Sequence, residues 1–83
     1  MRLSELAPYA AGRIENVEEC PAKPRLGSMG VCAGACVTRL FGSVFGDPAA
    51  YSVNSAVIGI RREDAERIIV GELKAGEGES AWV

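Results

Sequence analysis

Apolar positions come in short bursts, and glycine, proline and small polar residues punctuate them at close intervals. Leu3 to Leu6 reads as a single helical turn capped by Ser4 and ended by Pro8. Ile14 and Val17, with Gly12 and Arg13, mark a first strand over residues 11 to 18. They are three apart rather than two, so a bulge or strand end is expected near Asn16. Pro24 to Met29 fits a short helix, because proline is tolerated in a first turn, and Gly30 supplies the left-handed residue that ends it. Ala35 to Phe41 is a second strand, and Gly42 to Pro48 is a connection built on the Gly46-Asp47-Pro48 turn signal. Tyr51 and Val53 at period two give a third strand, Asn54-Ser55 a turn, and Val57 to Ile60 a fourth strand completing a hairpin. Arg62 to Arg67 is a helix of one to two turns, and Ile68 to Val70 a final short strand. The glycines, charges and lone Trp82 beyond Gly71 read as a tail, which divides the chain into a domain over 1–71 and a flexible segment over 72–83. About five short strands with one or two short helices predict an all-β fold, a small barrel whose closure would also remove exposed sheet edges.

Length narrows the function classes. With 83 residues the chain forms one domain with a small core and little room for an enclosed active site. Eleven acidic and nine basic side chains give a net charge of −2, where a nucleic-acid partner would call for a basic excess. The Arg61-Arg62 pair is interrupted at once by Glu63, Asp64 and Glu66. Histidine is absent, which removes the commonest general base and metal ligand near neutral pH. No nucleophile–base pair can be assembled, so an enzyme is disfavoured. The start of the chain carries no apolar run of signal-peptide type, and no apolar run approaches the roughly 20 residues of a membrane-spanning helix. Three cysteines are an odd number and do not suggest a disulfide framework. These features together point to the cytoplasm.

Several pieces then occur in a fixed order: Leu3-Ser4-Glu5-Leu6, Gly12-Arg13-Ile14, Arg25-Leu26-x-x-Met29-Gly30-Val31-x-x-Gly34, Val37, Gly46-Asp47-Pro48 and Arg61-Arg62-Glu63-Asp64-Ala65. In that order and spacing the chain resembles the FeoA family, small accessory proteins of bacterial ferrous iron transport, over residues 1 to about 70. The resemblance implies an SH3-like β-barrel. It also implies a non-catalytic protein that works with the cytosolic part of FeoB, a membrane transporter with a GTP-binding domain, and modulates its assembly or GTP turnover. Membrane contact would then be peripheral, at the inner face, through that partner. The sequence departs from the family pattern around its second strand. Arg39 stands where the family usually has an apolar residue, Phe41 where it often has arginine, and Ser43-Val44 where it usually has Ala-Pro.

That departure concentrates Phe41, Val44 and Phe45 in one loop region, and such an apolar patch marks an interaction site. Leu26 and Met29, three apart on the short helix, are candidates for a core plug, a partner contact or both. The glycine-rich stretch from Gly27 to Gly34 is not a phosphate-binding loop, because no lysine follows its glycines. Gly30 and Gly34 instead turn the chain into the second strand. The alternative function is metal binding or sensing, with Cys20, Cys32 and Cys36 as thiolate ligands to a divalent iron or zinc ion. Cys32 and Cys36 would lie about 13 Å apart on an extended chain, so a metal requires a tight turn through Ala33-Gly34. The other reading treats these cysteines as small packing residues, and no cofactor is then needed. The carboxylates, Glu15, Glu18 and Glu19 on one element and Glu63, Asp64 and Glu66 on another, read as solvated faces. Self-association is a further expectation for a small barrel with exposed apolar loops.

Overall fold

The alternation around Gly12 and Ile14 forms strand β1, Ala11–Val17, which buries Gly12, Ile14 and Val17. The three-residue spacing of Ile14 and Val17 is absorbed where the sequence places it. The ladder shifts register between Ile14 and Asn16, so both side chains reach the core. A computed structural model describes residues 1–42 and 47–72 of the chain. Its other strands are β2 (Cys36–Gly42), β3 (Ala49–Val53), β4 (Ala56–Ile60) and β5 (Ile68–Glu72). They form one antiparallel sheet in the order β4-β3-β2-β1-β5.

Strands β3 and β4 pair with Val53 opposite Ala56, leaving Asn54 and Ser55 as a two-residue loop. Both loop residues have positive φ, 51° and 69°, the geometry whose twist suits a tight hairpin. Strand β5 runs two residues past Val70, because Gly71 and Glu72 still pair with Arg13 and Gly12 of β1. Glu72, which sequence reading assigns to the tail, is therefore part of the sheet. The remaining tail, residues 73–83, lies outside the described residues.

Two helices pack on the sheet: α1, Lys23–Ser28, and α2, Arg62–Ala65. Helix α1 carries Pro24 in its first turn and ends as expected at Gly30, whose φ is +91°. The N–H of Val31 returns to the carbonyl of Leu26 at 2.9 Å and closes the helix end. Helix α2 is shorter than the predicted 62–67: Glu66 and Arg67 form a turn, the Arg67 N–H donating to the Asp64 carbonyl at 3.0 Å, before β5 begins at Ile68. The first turn, Leu3–Glu5, is a 3-10 turn. Its cap is not Ser4: the N–H of Arg2 donates to Glu5 Oε1 at 2.7 Å, and Ser4 sits inside the turn.

The core lies on one face of the sheet. Ile14, Val37, Tyr51, Val53, Ile60, Ile68 and Val70 meet Leu3, Leu6, Leu26, Val31 and Ala65 from the turns and helices. These features match the predicted small five-stranded barrel. The sheet ends are managed differently from simple closure. Among the described residues β4 and β5 do not pair with each other, and the outer edge of β5 is covered by the start of the chain. Arg2 bridges to Ile69, the N-terminal amine donates to the Val70 carbonyl at 3.0 Å, and the Val70 N–H donates to the Met1 carbonyl at 2.8 Å.

Candidate functional site

The five predicted contact residues do not share one environment. Phe41, near the end of β2, is 61% exposed and presents its ring to solvent. Leu26 is 1% exposed, which fits the core-plug reading of this residue. It is the only buried residue of α1, so the helix needs it to attach to the sheet. Met29 is half-buried against the same core. Val44 and Phe45 lie outside the described residues.

Sequence reading missed Tyr9, which is 74% exposed. Its N–H donates to the Arg39 carbonyl at 2.6 Å, so it lies alongside β2 two residues before Phe41. The available signal was Tyr9 directly after Pro8, an aromatic at a point where the chain cannot continue a helix.

The cysteines are all free and are not brought together. Cys36 begins β2, paired with Arg13 of β1. Cys32 sits exposed in the preceding loop, its Sγ 3.6 Å from the Gly30 carbonyl. Cys20 and Cys32 line one groove of about 650 Å³ together with Val17, Pro21, Pro24 and Val31, and Cys36 is not part of it. Gly34 does turn the chain at φ +93°, and the Ala35 N–H closes the turn on the Cys32 carbonyl at 3.1 Å, after which Cys36 enters the ladder opposite Arg13. Among the described residues no group of three or more Cys, Asp or Glu side chains could hold a metal ion. The thiols as placed do not fit a three-cysteine metal centre.

The carboxylates are engaged with arginines and a lysine. Arg2 Nη1 reaches Glu18 Oε1 at 2.6 Å and the Glu66 carbonyl at 2.9 Å. Arg67 approaches the same Glu18 oxygen at 4.0 Å, Lys23 pairs with Glu19 at 2.7 Å, and Arg25 with the largely buried Asp64 at 3.6 Å. A groove of about 470 Å³ between α1 and α2 carries Arg25, Arg61 and Arg67 beside Glu19, Glu63 and Asp64. The signs alternate, so this face has no strong field of either sign, and such exposed pairs contribute little to stability.

Among the described residues no helix is long and apolar enough to cross a membrane. Two exposed aromatic residues, Tyr9 and Phe41, thus lie along β2.

A family model described as the FeoA domain matches residues 1–72. The solution structure of the FeoA protein from Chlorobium tepidum is similar over 94% of this chain and 75% of that one, at 34% identity and a TM-score of 0.83. The crystal structure of FeoA from Stenotrophomonas maltophilia is similar over 93% of each chain, at 27% identity and a TM-score of 0.75. That protein is described as complexed with zinc, as a prokaryotic SH3 domain protein and as a candidate activating factor for bacterial ferrous iron transport. A manganese-dependent transcriptional repressor is alike over 88% of this chain and 36% of its own, at 16% identity and a TM-score of 0.78, a likeness of fold alone. No curated protein matches the chain.

Proposed function

The chain belongs to the FeoA domain family, and from that membership we propose that it is a non-catalytic interaction module of a ferrous iron transport system. It binds the cytosolic part of a FeoB-type transporter and modulates its assembly or GTP turnover. The family match over residues 1–72 carries this reading. The exposed Phe41 and Tyr9 rings beside β2 support it, because adjacent exposed aromatics suit a protein contact. The protein works in the cytoplasm and reaches the inner membrane face only through that partner.

The test is a pull-down with the transporter's cytosolic domain, with and without guanine nucleotide. Phe41→Glu is expected to weaken capture while leaving the urea midpoint unchanged, since the ring makes few core contacts. Undiminished capture by that variant removes the β2 end as the contact. Metal content measured on the same sample addresses the zinc described for the Stenotrophomonas protein. Stoichiometric metal lost on Cys32→Ser would restore the thiolate reading.

A further inference from the structure

Arg39 stands on β2 opposite Tyr51 of β3. Its Nη1 donates to the Leu6 carbonyl at 2.8 Å. Its Nε is buried and has no hydrogen-bond partner among the described residues. Nor does Arg39 take part in an ion pair among those residues. A guanidinium N–H withdrawn from water without an acceptor is penalised more heavily than a neutral donor; Nε itself is out of reach of solvent, so a ligand would meet the guanidinium through its Nη groups.

A cleft of about 80 Å³ opens beside it, lined by Ser4, Arg39, Ala49, Tyr51, Ile60 and Arg62. A water needs only about 10–15 Å³ of such space, so the cleft has room for several waters or for one small polar group. Among the described residues the lining includes two arginines, a serine and a tyrosine and no acidic residue. Asp47 stands beside the cleft, its Oδ1 accepting from the Arg62 N–H at 2.8 Å. Asp47 also acts electrostatically on Tyr51 but does not line the cleft. Positive charge and donors therefore dominate a space sized for one small group.

We propose that the Arg39 cleft binds a small oxyanion, either a carboxylate or a single inorganic anion of sulfate size, held by Arg39 and Arg62 with the hydroxyls of Ser4 and Tyr51. A planar guanidinium matches either geometry. The site does not depend on the transporter reading, since its residues are not those of the Phe41 surface.

The experiment follows the Arg39 Nε–H and the Ser4 amide by ¹⁵N NMR. Sodium sulfate, and separately sodium acetate, are titrated against sodium chloride at matched ionic strength. A saturable shift is expected with sulfate or acetate and only a linear drift with chloride. Tighter binding of acetate assigns the cleft to carboxylates such as an acidic side chain, and tighter binding of sulfate assigns it to free inorganic anions. Loss of one charged partner in Arg62→Gln is expected to weaken the half-saturation point about tenfold. Arg62 is exposed, so this variant keeps the fold even if Arg39→Gln does not. Equal, linear shifts with all three salts would mean that the cleft holds only water and would overturn the proposal. An unchanged half-saturation point in Arg62→Gln would overturn it as well.

Discussion

Three glycines separate backbone strain from side-chain crowding. At Gly30, φ is +91° and a Cβ would come within 2.7 Å of Asn54 Nδ2 in the β3–β4 loop. At Gly34, φ is +93° but the space beside it is open. Gly27 lies within α1, with nothing within 4 Å of an added Cβ. Gly30→Ala is expected to lower stability by about 2 kcal/mol, and Gly34→Ala by about 1 kcal/mol from backbone strain alone. Gly27→Ala is expected to raise it by about 0.5–1 kcal/mol, because alanine is the better helix former. Urea midpoints rank the three. Tyr51 gives a second test. Burial pushes its phenol above the usual pKa, the Arg39 charge pulls it down, and Asp47 adds to the rise. Below about pH 10 the phenol is neutral in both folded and unfolded chains, and its contribution is fully present. Above that the unfolded chain ionises first and binds fewer protons than the folded one, so stability falls as pH rises further. Tyr51→Phe is expected to flatten that alkaline decline in urea titrations from pH 9 to 11. Individual residues were partly legible in the sequence. The Leu26–Met29 spacing gives a shared face but not its destination, and a charged residue such as Arg39 reads as surface until strand pairing sets it opposite Tyr51.

Elements were most legible where their cause is local. The bulge follows from the spacing of Ile14 and Val17, and the hairpin from Asn54-Ser55, whose backbone positions tolerate positive φ. Boundaries fixed by distant partners were not legible. Strand β5 continues to Glu72 because Gly12 of β1 is there to receive it, and no residue near Glu72 announces that. The cysteines illustrate the same limit: spacing bounds how far apart they can lie, but Cys36 is placed by its register with Arg13. Helix α2 depends on one distant group. At four residues it is too short to persist unaided, and its first N–H is met by Asp47 from the connection before β3. Asp47→Ala is expected to lower stability by about 1 kcal/mol, the usual loss for a helix cap, read as a shift in urea midpoint. Faster amide exchange at Ala65 and Glu66 would localise the effect to α2.

On the scale of the whole molecule, the two ends of the sheet are unlike. The outer edge of β5 is closed by Met1 and Arg2. The outer edge of β4 pairs with no other described strand, and Val57 on it is 65% exposed. Open apolar edges attract further strands, and an edge lysine discourages this. Self-association through this edge is the form we propose for the oligomer suggested by the sequence. Val57→Lys is then expected to reduce the sedimentation coefficient at high protein concentration while leaving the urea midpoint within about 0.5 kcal/mol of the parent. An unchanged coefficient would place any self-association elsewhere.

The closure of β5 by the first residues also has a consequence for how the protein is made. Chains grow from the amino end at roughly 5–20 residues per second. Met1 and Arg2 are made long before their partners Ile69 and Val70, which are among the last of the domain to be added. Strand β1 waits equally long for β5, with Ile14 and Val17 short of half their cover until Ile68 and Val70 arrive. Strands β1 to β4 are consecutive neighbours and can pair without β5, so what waits for the end of the domain is the cover of β1 and of the amino-terminal residues. The sheet is complete only once residue 72 is available, because Glu72 is the last residue to pair with β1.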